Sequence, residues 1–74
     1  MSRSLYELKT NESAMVKSVN ANAPLYSRFV DLGILKNTLI TKIGTSPLGD
    51  PSAYLIRGAV IAIRDKDCRD IKLY

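Results

Sequence analysis

Asp65, Asp67 and Asp70 are the residues of this chain best suited to hold a hard cation, because three carboxylates fall within one short segment. A calcium loop needs a longer series of oxygen ligands and a glycine at its sharp turn, and this segment has neither. Lys66 and Arg69 alternate with the carboxylates, and surface charges of this kind are usually solvated. The pattern therefore indicates an acidic turn in solvent, and we expect no metal site.

Cys68 is the single cysteine of the chain, and the sequence contains no histidine. These counts exclude an internal disulfide, a zinc or iron–sulfur site made of Cys and His clusters, and a catalytic triad that uses histidine. The G-x-x-x-x-G-K-[ST] phosphate-binding motif is also absent. A lone cysteine is usually a small buried apolar residue, so we place Cys68 on the inward side of a helical turn over 65–68. We expect no enzymatic activity and no cofactor.

Arg28, Arg57 and Arg64 could act on the nucleotide of a partner GTPase, since an arginine supplied in trans stabilises transition-state charge. The more common use of an exposed arginine is to bind a carboxylate or to remain solvated. We retain the second interpretation, because the first rests on analogy alone.

Length and composition indicate one small globular domain over residues 1–74, with 46% apolar and 24% charged residues. A chain this short needs most of its apolar side chains for its own core, which leaves few for a deep pocket. The net charge of +4 favours acidic partners or an anionic membrane surface. No apolar run is long enough to span a membrane and no signal-peptide pattern opens the chain, so we expect a cytoplasmic protein.

Alternating apolar residues predict five short strands, over residues 13–20, 38–45, 53–57, 59–64 and 71–73. A bulge is expected near Lys17, where the two-residue period breaks. Asn11 and Asn37 are expected to adopt left-handed backbone conformations in two turns. Gly58 is expected to break or bulge the strand that precedes it.

One helix is predicted to begin at Pro24, since proline suits the first helical position. Its apolar stripe starts at Leu25 and continues through Phe29. Gly33 is expected to take the left-handed position after the helix, with Ile34 packing back on Phe29 in a Schellman cap. The helix spans about two to three turns and must dock on a sheet to be stable. These elements predict an all-β fold with one short helix, a small, partly open SH3-like barrel of about five strands.

Three stretches, in this order, resemble a known family. Residues 25–34 are similar to a Leu-x-x-Arg-Leu-x-x-Leu-Gly-Ile helix and cap, and residues 47–51 to a Pro-x-Gly-Asp-Pro turn. Residues 56–58 and 61–64 are similar to the paired strands that follow in that family. Together they resemble the ferrous iron transport protein A (FeoA) family over nearly the whole chain.

The chain departs from the family pattern at two turns, where Asn11 and Asn37 stand in place of glycine. Asparagine tolerates the left-handed conformation, so both turns are expected to form. Cys68 stands where the family usually has alanine, which supports its buried placement.

The resemblance implies a role in ferrous iron uptake, through an FeoB-type membrane transporter that carries a cytoplasmic GTP-binding domain. The chain would then be peripheral to the inner face of the membrane through its partner, with weak self-association left open. The same domain type ends iron- and manganese-dependent repressors, but Met1 starts within the domain here, so we expect a free-standing accessory protein.

The expected partner-binding residues are Arg28 on the helix and Leu48, Gly49 and Asp50 in the turn over 47–51. Arg28 lies off the apolar stripe, so its head should reach solvent, and turns on a rigid scaffold commonly carry function. Leu48 could instead fold back under its own turn, and both placements are left open.

The alternative function is an SH3-like nucleic-acid-binding or regulatory module unrelated to iron transport. Such a module needs stacking aromatic side chains beside a basic stripe. Two of the five aromatic residues, Phe29 and Tyr54, are assigned to the core, so we expect no nucleic-acid partner.

Overall fold

The computed structural model describes residues 3–74, which form one antiparallel sheet with short helical segments. The strands of this part of the chain are β1 Arg3–Ser4, β2 Ser13–Val19, β3 Leu39–Thr45, β4 Ser52–Ile56, β5 Ala59–Ile63 and β6 Ile71–Leu73. Their order across the sheet is β1-β6-β2-β3-β4-β5. The helical segments are a 3-10 turn Leu5–Glu7 and two α-helices, α1 Tyr26–Asp31 and α2 Asp65–Cys68. Within residues 3–74, none of the helices has the length and apolar character needed to cross a membrane.

The first strand, β1, was not predicted from the sequence. It has only two residues, with Arg3 opposite Leu73 and Ser4 opposite Lys72 in β6. Two residues cannot show a period-two pattern, and their partners lie at the other end of the chain, so no local signal marks this strand. The described residues therefore contain six strands where five were expected, and the other five begin and end within one residue of their predicted bounds.

The core lies on the inward faces of the strands, closed by one side of each helical segment. Its buried members are Leu5, Leu8, Ala14, Val16, Phe29, Ile34, Ile40, Tyr54, Ile56, Ile63, Cys68, Ile71 and Leu73. In β4 the predicted alternation is confirmed, since Tyr54 and Ile56 are buried while Leu55 faces outward. Ile63 is buried as expected, whereas Ile61 is half-buried and packs on the margin of the core.

The helix α1 begins later than the sequence predicts. The backbone N–H of Tyr26 donates to the carbonyl oxygen of Ala23, and Leu25 has φ −101° and ψ 17°, which is not helical. Pro24 therefore lies in a turn before α1, because the i+3 bond from Tyr26 closes a turn rather than a helix. The helix has six residues, fewer than the predicted two to three turns.

The end of α1 follows the prediction. Gly33 has φ +87°, its N–H donates to the oxygen of Val30, and the N–H of Ile34 donates to that of Phe29 at 2.9 Å. This pair of bonds defines a Schellman cap. Phe29 and Ile34 are both in the core, so the cap fixes the direction of the chain as it leaves α1.

The predicted turns and bulge are also present. Asn11 and Asn37 both have φ +69°, and the register of β2 against β6 shifts between Val16 and Ser18. One turn differs from the prediction, because Arg57, assigned to a strand, is a turn residue with φ +50°.

Arg57 and Gly58 alone connect β4 to β5, since Ile56 lies opposite Ala59. Positive φ at both central residues defines a type I′ hairpin turn, whose twist matches that of the flanking strands. Gly58 has φ +82° and is the residue at which the sequence predicts that the strand breaks or bulges.

Candidate partner-binding surface

Arg28 is an exposed residue of α1. It stands at the edge where α1 borders β5 and the segment that follows β5. The two elements enclose a groove of about 160 Å³. Its lining residues are Leu25, Arg28, Phe29, Leu32, Ile61, Ala62, Ile63, Arg64 and Asp67. Among the described residues no side chain pairs with the guanidinium of Arg28 or of Arg64. The rim of this groove therefore offers two cationic groups to an outside ligand.

Leu48 projects from the loop between β3 and β4 and is 94% exposed. This loop is held by its own bonds: the N–H of Gly49 donates to the oxygen of Ser46 at 2.8 Å, and the Ser46 N–H donates to the oxygen of Pro51 at 3.0 Å. Ser46 Oγ donates to the oxygen of Asp50 at 2.9 Å. The placement of Leu48 under its own turn, left open by the sequence, is therefore wrong.

Asp50 has a structural role in the same loop. Its Oδ1 accepts the backbone N–H of Asp65 at 3.0 Å, at the first residue of α2. A carboxylate at this point pairs an N–H group that the helix leaves free. The bond ties the Leu48 loop to the segment that also borders the Arg28 groove.

Two of the four expected residues, Arg28 and Asp50, adjoin one segment, which runs from the end of β5 into α2. Arg28 borders this segment from α1, and Asp50 anchors to it from the β3–β4 loop. Leu48 and Gly49 stand at the outer end of that loop, and Gly49 has φ +91°. We call Arg28 together with residues 48–50 the Arg28–Leu48 surface.

Asp65, Asp67 and Asp70 do not assemble into a metal site. Within residues 3–74, no group of three or more His, Cys, Asp or Glu side chains is arranged to hold a metal ion. Asp70 Oδ1 accepts from Asn20 Nδ2 at 3.1 Å. Asp67 is buried, so the expectation of a fully solvated acidic turn is wrong at this residue.

Cys68 is fully buried, as expected, and its Sγ lies 3.3 Å from the hydroxyl oxygen of Tyr54. Burial raises the pKa of the Cys68 thiol to about 11, and burial likewise raises the pKa of Tyr54. A thiolate is the nucleophilic and metal-binding form of cysteine. At neutral pH this thiol is protonated and enclosed, which favours a packing role.

Sequence reasoning missed an apolar area on the outer face of the sheet, formed by Leu39, Leu55 and Val60, with Leu35 beside them. A signal was present, because β3 and β4 carry apolar residues at successive positions. A strand with one solvated face normally alternates apolar and polar residues.

Comparison with known proteins agrees with this fold. The FeoA domain family model matches residues 3–74. The solution structure of an FeoA-like protein from Clostridium acetobutylicum superposes with a TM-score of 0.90 at 26% identity, covering 99% of this chain and 85% of that one. A search of curated proteins finds no significant match.

Two further solved structures are similar to this chain, one from the same family and one from a larger regulatory protein. Zinc-complexed FeoA from Stenotrophomonas maltophilia has a TM-score of 0.86 at 25% identity, covering 97% of this chain and 89% of that one, and is described as an SH3 domain protein and a candidate ferrous iron transport activating factor. A manganese-dependent transcriptional repressor bound to manganese has a TM-score of 0.85 at 15% identity, covering 99% of this chain but 36% of the repressor. The second likeness is one of fold alone.

The strand order, the capped helix and the comparisons together define a small SH3-like all-β domain, as the sequence predicts. The match of the family model over residues 3–74 makes the assignment specific, and the chain belongs to the FeoA family.

Proposed function

We propose that this chain is a cytoplasmic accessory protein of ferrous iron uptake that acts by contact with an FeoB-type membrane transporter carrying a GTP-binding domain. Membership of the FeoA family supports a role in ferrous iron uptake. The Stenotrophomonas relative is described as a candidate activating factor for ferrous iron transport. The observation that carries the proposal is Leu48, a large apolar side chain 94% exposed on a braced loop.

The Arg28–Leu48 surface has the chemistry of a small interface. Covering an exposed leucine is worth about 1.5–3 kcal/mol, and arginine is among the residues that most often dominate binding energy. The loop and α1 are already ordered by the Asp50 bond and the Schellman cap, so binding would order few groups. Low ordering cost lets a modest area give useful affinity.

The positive charge of the chain suits this partner class. A net charge of +4 favours approach to an acidic protein domain or to the anionic inner leaflet beside a transporter. The chain would supply contacts and leave nucleotide chemistry to its partner, so the proposed role is that of a binding protein without catalysis.

Uptake of radiolabelled ferrous iron by cells lacking the native gene tests this proposal. Leu48→Asp and Arg28→Glu should retain the wild-type melting temperature and lose complementation, because both side chains are exposed and neither supports the core. Thr10→Asp and Lys72→Glu are the charge-matched controls at exposed positions elsewhere, and they should complement fully.

Full uptake with both folded variants would overturn the Arg28–Leu48 surface as the contact. Unchanged ferrous iron uptake after deletion of the whole gene, with failure of another process, would overturn the proposed function itself.

A further inference from the structure

The outer face of the sheet carries a second groove, at the end of the β4–β5 hairpin. Register places Thr41 opposite Leu55 and Leu55 opposite Val60, so these three side chains form a row on the face turned away from the core. Leu39 lies two residues from Thr41 on the same face, and Leu35 forms a side wall. The resulting outer-face groove has a volume of about 490 Å³.

The groove has an apolar floor that the protein leaves uncovered. Leu35, Leu39 and Leu55 are 45%, 55% and 40% exposed. In a domain this small, three clustered leucines outside the core reduce the apolar surface available for folding. An exposed apolar patch rimmed by polar residues commonly marks an interaction site.

The rim of the groove is positively charged. Lys36 and Arg57 both line it, and of the described residues that line it none is acidic. Arg57 Nε donates a long hydrogen bond to the carbonyl oxygen of Gly33 at 3.4 Å, which leaves its terminal nitrogens for a ligand. An arginine fork of this kind suits a carboxylate.

We propose that the outer-face groove binds an acidic peptide segment of a partner protein, with leucine-sized side chains on the floor and carboxylates on Lys36 and Arg57. The site differs from the Arg28–Leu48 surface and does not depend on the proposed function. The concave floor favours an inserted chain over a flat lipid surface. A second copy of this chain would bring its own Lys36 and Arg57, and like charges facing each other oppose association.

Titration of the ¹⁵N-labelled chain with three blocked synthetic peptides tests the proposal. The first peptide has two leucines among glutamates, the second replaces every glutamate with lysine, and the third replaces both leucines with alanine. Saturable shifts of the Leu39, Leu55 and Arg57 amides are expected with the first peptide alone. The other two peptides should bind about tenfold more weakly or not at all, since each removes one half of the recognition.

Two variants localise the binding. Leu39→Ser and Lys36→Glu alter exposed groups of the groove and should each raise the dissociation constant of the first peptide about tenfold, whereas Lys66→Glu, the same charge change in α2, should leave it unchanged. The proposal is overturned by absence of saturable shifts at millimolar peptide, by shifts centred on Arg28 instead, or by equal affinities of all variants. Binding of anionic vesicles that needs Leu39 while the peptides fail, or dimerisation through this face, would equally overturn it.

Discussion

The carbonyl oxygen of Gly33 accepts a hydrogen bond from Arg57 Nε, 3.4 Å away, so the residue that ends α1 meets the residue that turns β4 into β5. A Cβ atom placed on Gly33 would lie 2.6 Å from Arg57 Cδ and 2.9 Å from Nε. Both residues have positive φ, +87° and +50°. Gly33 is therefore required for its conformation, and a side chain at this position would have to displace the exposed side chain of Arg57.

Gly33→Val is expected to destabilise the protein strongly, while Gly49→Ala is milder. Both sites have a left-handed backbone, which costs a residue other than glycine about 1–2 kcal/mol, and valine is penalised further because it is β-branched. Gly49 has nothing within 4 Å of an added Cβ, so only Gly33 adds a collision. Since 1 kcal/mol shifts the melting temperature of a domain this size by about 4–8 °C, thermal melts resolve the two variants.

The contribution of Arg57 to this effect can be measured separately. Gly33→Ala should cost less in an Arg57→Gly background than in the native chain, because that background removes the colliding side chain and glycine accepts the φ of residue 57. Equal costs in both backgrounds would show that the collision is absent.

Cys68→Ala is expected to flatten the loss of stability with rising pH. The ordinary pKa of the thiol is 9.0, and burial raises the pKa of Cys68 in the folded protein to about 11. Between these values the unfolded chain loses its thiol proton while the folded chain keeps it, so stability is complete below pH 9 and falls as pH rises towards 11.

Urea unfolding at a series of pH values measures this slope. One such group removes at most about 1.4 kcal/mol per pH unit. The pKa of Tyr54 is raised first by burial and then by its contact with Cys68, so Tyr54 steepens the same slope and does so less in the variant. Alanine is smaller than cysteine and leaves space in the core, so the variant has a lower free energy of unfolding at every pH. The comparison is therefore between the slopes of that free energy against pH, and not between its absolute values. Identical slopes would mean that Cys68 titrates normally.

Neither zinc nor ferrous iron is expected to bind the isolated chain tightly. The sequence has no histidine, its one thiol is buried and protonated at neutral pH, and soft metal sites are built from such ligands. Isothermal titration with Zn²⁺, and with Fe²⁺ under anaerobic conditions, should show only weak heats from surface carboxylates. Zinc is included because the Stenotrophomonas relative was solved in complex with zinc. A stoichiometric site of submicromolar affinity for either metal would contradict this expectation.

Local chemistry made the turns predictable from sequence. Asn11, Asn37 and Gly33 are residue types that tolerate a left-handed backbone, and each takes one. Arg57 carries no such signal, and its positive φ follows from the hairpin that pairs Ile56 with Ala59. The strand β1 was missed for a similar reason, because it depends on pairing with the distant strand β6.

The surface was less predictable than the fold. Side-chain type suggested Arg28 and Leu48, but only the bonds of Ser46 and Asp50 show that the loop holds Leu48 outward. The outer-face groove arises where β3, β4 and two turns meet, so no single segment of the sequence contains it.

The most direct test is the affinity between this chain and the FeoB-type transporter of the same genome, reconstituted in nanodiscs and measured by biolayer interferometry. We predict saturable binding. Leu48→Asp and Arg28→Glu should each weaken it about tenfold, as expected for the loss of one interface anchor. The controls Thr10→Asp and Lys72→Glu should leave the affinity unchanged. Absence of saturable binding, or equal affinity of all four variants, would contradict the account.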